Sequence, residues 1–121
     1  FFKNDKSILL IPPLDYGQFV WLMINSKIII TDSGGIQEEG ASLKKPILIM
    51  RENSERPEVI NAGFAKLVGT NQSKIVHNIS KLINDPNYYQ KFVNNKNPFG
   101  DGKSSEKIIK FIEKKIWMLK Q

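Results

Sequence analysis

No cysteine occurs among the 121 residues. This excludes disulfide frameworks and thiolate metal sites, and it fits a cytoplasmic protein. No apolar run approaches the roughly 18 residues needed to cross a bilayer, so no membrane partner is expected. The longest candidates, "SILLI" and "KIIIT", have strand length. No secretory pattern is expected at the opening "FFKNDKS", which lacks an apolar h-region and a cleavage site. The first residue is not Met. Phe1-Phe2 leads within a few residues into a strand-like run, the pattern expected of a fragment or of a domain cut from a longer protein. Acidic charge is the scarcer sign: 12 Asp and Glu face 18 Lys and Arg, for a net charge of +6. Such a balance raises nucleic acid as a partner. Its distribution argues otherwise. Asp32 to Glu58 holds six acids and four bases, net −2, whereas Lys103 to Gln121 holds six lysines against Glu106 and Glu113, net +4. The excess sits largely in the tail, where a solvated helix face accounts for it as readily as a binding surface. No nucleic-acid partner is expected.

With 40% hydrophobic and 25% charged residues, the chain can bury one ordinary core, and residues 1–121 read as one domain. "SILLIPP" predicts a short strand ended by Pro12-Pro13. Asp15 is a plausible N-cap for a helix in which Phe19, Leu22 and Met23 recur at helical spacing. "KIIIT", "PILIM" and "AKLVG" predict three further strands, and the three consecutive isoleucines of "KIIIT" suit a strand covered on both faces, as in a parallel sheet. Between them lie a short helix, "GGIQEEGAS", and the loop "RENSERPEVINAG", which runs into a helical turn. Ile75, Ile79 and Leu82 share one face of the next helix. Another helix opens on Pro86. A terminal helix over 104–121 is capped by Ser104 or Ser105 and carries a stripe of Ile108, Phe111, Ile112 and Ile116. Strands alternating with helices imply an α/β fold, a Rossmann-like parallel sheet with helices on both faces.

In such sheets ligands bind at the carboxyl ends of strands, where helices begin. "TDSGGIQEE", Thr31 to Glu39, lies at such an end. Ser33 can cap the helix, and Gly34 and Gly35 leave its unpaired N–H groups open to an anion such as a diphosphate. A plain tight turn is the competing explanation. The stretch is neither the Gly-x-Gly-x-x-Gly fingerprint nor a P-loop, so neither NAD nor ATP is indicated. Glu39 falls about one and a half turns into the helix, where a carboxylate can accept two hydrogen bonds from vicinal sugar hydroxyls. Glu38 points elsewhere, and Gln37 has no assigned role. Arg51 and Arg56 can pair with phosphate, or with Glu52, Glu55 or Glu58 to fix their own loop. Phe19 and Trp21 lie near another strand end, where an aromatic can stack on a base, although Trp21 reads more readily as core. His77 is expected on a partly exposed helix face without chemistry.

Taken in order, "PLDYGQFVWLM", "TDSGGIQEE", "KPILIMRENSERPE", "AGFAKLVGTN" and "NPFGDGKSSEKI" resemble the C-terminal domain of non-hydrolysing UDP-N-acetylglucosamine 2-epimerases. The resemblance covers the chain up to its last dozen residues. It implies the C-terminal half of a glycosyltransferase-B-type fold, with the nucleotide in a cleft between two Rossmann-like halves. It also implies interconversion of UDP-GlcNAc and UDP-ManNAc: UDP is eliminated to leave a 2-acetamidoglucal, then re-added with inversion at C2. Neither metal nor other cofactor is implied. Carried over by residue, Ser33, Gly34 and Gly35 would hold the diphosphate and Glu39 the ribose hydroxyls. Phe19 would lie beside the uracil, and Arg56 would take part in the nucleotide site. The complete enzyme would be a homodimer, and its product would feed surface polysaccharide synthesis.

The chain departs from the family pattern in places. Leu14 stands where glutamine is frequent, and Phe99 where tyrosine is usual. Asn53-Ser54 replaces two threonines. "EEGASLKKP" replaces Glu-Glu-Ala-Pro-Ser-Leu-Gly-Lys-Pro. The family's proton-transfer carboxylates belong to an N-terminal catalytic domain, absent here, and His77 does not match the histidine that lies near the phosphates. No catalytic residue is therefore assigned to this chain, and alone it is expected to bind UDP without completing the reaction. Two other readings remain open: the donor half of another glycosyltransferase-B-type enzyme, and a stand-alone nucleotide-binding or interaction module docking through Phe111, Ile112, Ile116 and Trp117.

Overall fold

The computed structural model describes residues 5–119; residues 1–4 and 120–121, the latter closing the expected terminal helix, lie outside the described residues. Three strands form the sheet: β1 (Ile29–Thr31), β2 (Ile47–Ile49) and β3 (Ala65–Leu67), in that spatial order and all parallel. Ile30 pairs with Leu48, which pairs with Lys66. Six helices accompany them: α1 (Tyr16–Asn25), α2 (Gly34–Ser42), α3 (Pro57–Asn61), α4 (Gln72–Asn84), α5 (Pro86–Val93) and α6 (Ser104–Leu119). Parallel neighbours require crossovers, which α2 and α3 supply.

Alternation along β2 splits the core in two. Ile47 and Ile49 face a cluster with Met23 of α1, Ala41 of α2, Val59 of α3 and Phe64. Leu48 faces the other way, onto Val68, Leu82 of α4 and Phe92 of α5. The expected helices on both faces are therefore present, and Ile75 and Ile79 flank Leu82 as the periodicity predicts. Local signals set the helix starts. The side chain of Asp15 accepts the Gln18 N–H at 2.9 Å, and that of Asp85 accepts the Tyr88 N–H at 2.9 Å, with Pro86 in the first turn. Lys45 Nζ donates to the Ile24 and Ser26 carbonyls at 2.6 and 2.8 Å, tying the end of α1 to the start of β2.

Three expectations are corrected. "SILLIPP" joins no strand: residues 8–15 are unpaired, and Leu9 and Leu10 are 83% and 66% exposed. A strand needs a neighbour, and among the described residues nothing pairs with the outer edge of β1. Trp21 is 62% exposed rather than core, because α1 turns its Met23 face to the sheet. In α6 neither serine precedes the helix, whose first bond runs from Lys107 N–H to the Lys103 carbonyl at 3.1 Å. The α6 stripe of Ile108, Phe111, Ile112 and Ile116 is exposed throughout.

The end of α2 carries backbone strain. Lys44 N–H bonds to the Ala41 carbonyl and Lys45 N–H to the Gly40 carbonyl, the paired bonds of a Schellman cap. That cap sets Lys44 at φ 54, the only left-handed non-glycine among the described residues. Lys44→Gly should therefore stabilise the chain by about 1 kcal/mol, since the relief of Cβ strain outweighs glycine's greater unfolded entropy. A raised urea midpoint at constant slope is the expected reading, and a lowered one would contradict it.

Candidate functional site

The carboxyl ends of all three strands open on one edge of the sheet. β1 leads through Asp32-Ser33 into α2, and β2 through residues 50–56 into α3. β3 leads to Asn71, whose side chain caps α4 through the Lys74 N–H at 3.0 Å. The 50–56 loop touches both neighbours. A Cβ added to Gly69 would lie 2.3 Å from Glu52 Oε1, and one added to Gly34 would lie 3.8 Å from Glu55 Oε2.

Ser33 occupies the cap position of α2, yet its hydroxyl makes no capping bond; its own N–H donates to Thr31 Oγ1 at 3.0 Å. Among the described residues, the first-turn N–H groups of this nine-residue helix thus have no side-chain partner. Gly34 and Gly35 begin that helix. Neither has a left-handed φ, unlike Gly63, Gly69, Gly100 and Gly102. A Cβ on Gly35 would meet nothing within 4 Å. Gly40, by contrast, sits 2.9 Å (from its would-be Cβ) below Ile47 Cδ1, where packing explains a small residue. Neither backbone conformation nor the chain's own packing accounts for glycine at 34 and 35.

Glu39 is half-buried and lines a cavity of about 330 Å³ with Tyr16, Val20, Glu38, Ser42 and Phe99. Among the described residues its carboxylate has no hydrogen-bond or ion-pair partner. Phe19 does not line this cavity. It packs beside Ile29, Thr31 and Ile36 in a neighbouring groove of about 280 Å³, and Met23 forms part of the wall of both. Arg56 occupies the N-cap position of α3 without a capping side-chain bond, and its Nε donates to Glu38. That hydrogen bond, and then the charge of Glu38, hold the guanidinium above its ordinary range. Arg51 pairs with Glu55 at 3.1 Å, one of the loop-internal pairings anticipated. His77 is exposed.

The Glu38–Arg56 pair was not legible, because the partners are 18 residues apart. Tyr16 carried a signal: it precedes Val20 by four residues and Met23 by seven, so the three share a face of α1. Among the described residues there is no cluster of His, Asp and Glu suited to a metal, and no helix long and apolar enough to cross a membrane.

A parallel sheet with a side-chain-free turn at a strand end, and a free carboxylate further along the same helix, is the architecture of nucleotide-binding α/β domains. The chain belongs to the UDP-N-acetylglucosamine 2-epimerase family, which matches residues 2–113. A UDP-N-acetylglucosamine 2-epimerase of Campylobacter jejuni is 52% identical over 111 residues, covering 92% of this chain and 29% of the relative. One from Escherichia coli K12 is 46% identical over 108 residues, covering 89% and 29%. Among solved structures, the Neisseria meningitidis enzyme bound to UDP-GlcNAc is 48% identical, with a TM-score of 0.81 over 87% of this chain and 29% of that one. The S. aureus MnaA–UDP structure is 39% identical, with a TM-score of 0.83 over 98% of this chain and 32% of that one. The chain thus spans about three tenths of its relatives' length. Its fold is the C-terminal of the two Rossmann-like halves of the glycosyltransferase-B-type fold of these epimerases.

Proposed function

We propose that residues 1–121 form the C-terminal UDP-binding domain of an epimerase that interconverts UDP-GlcNAc and UDP-ManNAc by eliminating and re-adding UDP. Ser33, Gly34 and Gly35 receive the diphosphate on the N–H groups of α2. Glu39 takes the ribose hydroxyls, Phe19 flanks the uracil, and Arg56 adds a cation at the rim. The observation that carries this reading is the pair of glycines at 34 and 35, which the protein's own geometry does not require. Supporting it, one solved relative is bound to UDP-GlcNAc and another to UDP. No metal or other cofactor enters.

The groups that move the C2 proton belong to sequence outside this chain, so the domain binds without turning over. The unpaired edge of β1 and the exposed Ile8–Ile11 and α6 surfaces favour a companion N-terminal domain over a stand-alone module. The complete enzyme works as a homodimer in the cytoplasm.

Calorimetric titration of UDP, uridine and ADP into the 121-residue chain tests the reading. Half a cleft should bind UDP near the millimolar scale, about 4 kcal/mol. Glu39→Ala, which removes charge-assisted hydrogen bonds of about 1.5–3 kcal/mol, should weaken UDP by roughly 10-fold or more. ADP bound as tightly as UDP, or an indifferent Glu39→Ala, would defeat the UDP assignment. Conversion of UDP-GlcNAc by the same pure chain would defeat the division of labour.

A further inference from the structure

Gln37 lies in α2 between the glycine turn and Glu39, and its side chain is fully buried. Its Oε1 accepts a 2.7 Å hydrogen bond from Ser54 Oγ. The same hydroxyl accepts the backbone N–H of Arg56 at 3.0 Å. Gln37 Nε2 has no partner among the described residues. An amide buried with an unpartnered N–H is destabilising relative to an apolar side chain of the same size. Stability alone does not account for glutamine here.

The amide does give the 50–56 loop a buried anchor. Arg51–Glu55 lies within the loop and ties it to nothing else. Arg56–Glu38 joins the loop to α2, but both side chains are about two-fifths exposed, and ion pairs in that setting hold weakly. The Ser54 hydroxyl donates to one partner and accepts from the other, so its two bonds reinforce each other. The anchor also sits on the helix that begins with Gly34 and carries Glu39, so one rigid element sets the loop relative to both.

We infer that Gln37, acting through Ser54, is a positioning residue that holds Arg56 at the rim of the nucleotide site. This rests on the UDP reading of α2 and Arg56. Residues 37 and 54 form a strut between α2 and the 50–56 loop, and the strut fixes where the guanidinium stands before a ligand arrives.

The test uses the 121-residue chain with Ser54→Ala, Ser54→Thr, Gln37→Met, Arg56→Ala and the Ser54→Ala/Arg56→Ala pair. UDP affinity is read by calorimetry and amide hydrogen exchange is read across residues 50–58. Loss of one hydrogen bond from the strut should weaken UDP about fivefold in Ser54→Ala and Gln37→Met. Ser54→Thr, which keeps the hydroxyl, should restore binding. Ser54→Ala should add nothing once Arg56 is alanine, because the strut acts through that residue. Exchange at Arg56 should quicken in both strut variants. A Ser54→Ala loss that persists in full without Arg56 would overturn the proposal, as would unchanged exchange across the loop. Ser54→Ala remains decisive if Gln37→Met fails to fold. Should the wild-type chain bind no UDP while Ser54→Ala still quickens exchange at Arg56, the nucleotide reading falls and the strut stands.

Discussion

Valine at position 35 abolishes UDP binding without destabilising the chain: that is the expected result of Gly35→Val. A Cβ there meets no atom within 4 Å, and the position is helical, so the side chain has room and a permitted backbone. Valine is also a better helix former than glycine by a few tenths of a kcal/mol, so the thermal midpoint should hold or rise slightly. Binding responds the other way. A diphosphate must come within hydrogen-bond distance of the first N–H groups of α2, and a branched side chain occupies that approach. A loss beyond tenfold, about 1.4 kcal/mol, is expected from titration and melting of one sample. Undiminished affinity would put the diphosphate somewhere other than the glycine turn. A fall in both affinity and midpoint would show that glycine is needed by the fold.

Phe64→Ala should have the largest effect on stability. Phe64 is fully buried beneath Ile47, Ile49 and Val59, and its backbone bridges elements: its N–H donates to the Val59 carbonyl at 3.0 Å and its carbonyl accepts the Ile47 N–H at 2.9 Å. Truncation leaves a cavity costing about 3–5 kcal/mol, much of the roughly 5–15 kcal/mol that holds a domain together. Urea unfolding should report it as a large fall in midpoint. Phe111→Ala is the control. At 63% exposure on α6 it should change little, and equal losses for the two would mean that α6 is packed when the chain is in solution.

What the sequence disclosed depended on how far apart the cooperating residues lie. β1 and β2 are legible because each is an unbroken apolar run bounded by turn residues, a local pattern, and β3 because a short run with Lys66 as its one polar residue is closed by Gly69. "SILLI" has the same pattern and forms no strand, because pairing is a property of a neighbour and not of the run itself. The glycine turn is legible for the same local reason, and Glu39 follows from it by helical count. Glu38 with Arg56, and Gln37 with Ser54, are not: each pair joins α2 to a loop beyond the next strand, and only the closure of a parallel crossover brings them together. Trp21 misled because hydrophobicity indicates that a face will be covered without saying what covers it. The left-handed backbone of Lys44 appears only with the cap geometry, because lysine carries no sequence signal for that conformation.

The two outer strands of the sheet are finished differently. β3 turns an exposed lysine, Lys66, from its centre, a common guard on a true sheet margin. β1 has Ile29, Ile30 and Thr31, with Ile30 41% exposed, and neither charge nor proline to blunt it. Its composition is that of an interior strand. Such an edge is a template on which any further strand, of the same polypeptide or of a second copy, can pair. Self-association through it would bring protein concentration into the folding equilibrium of the 121-residue chain.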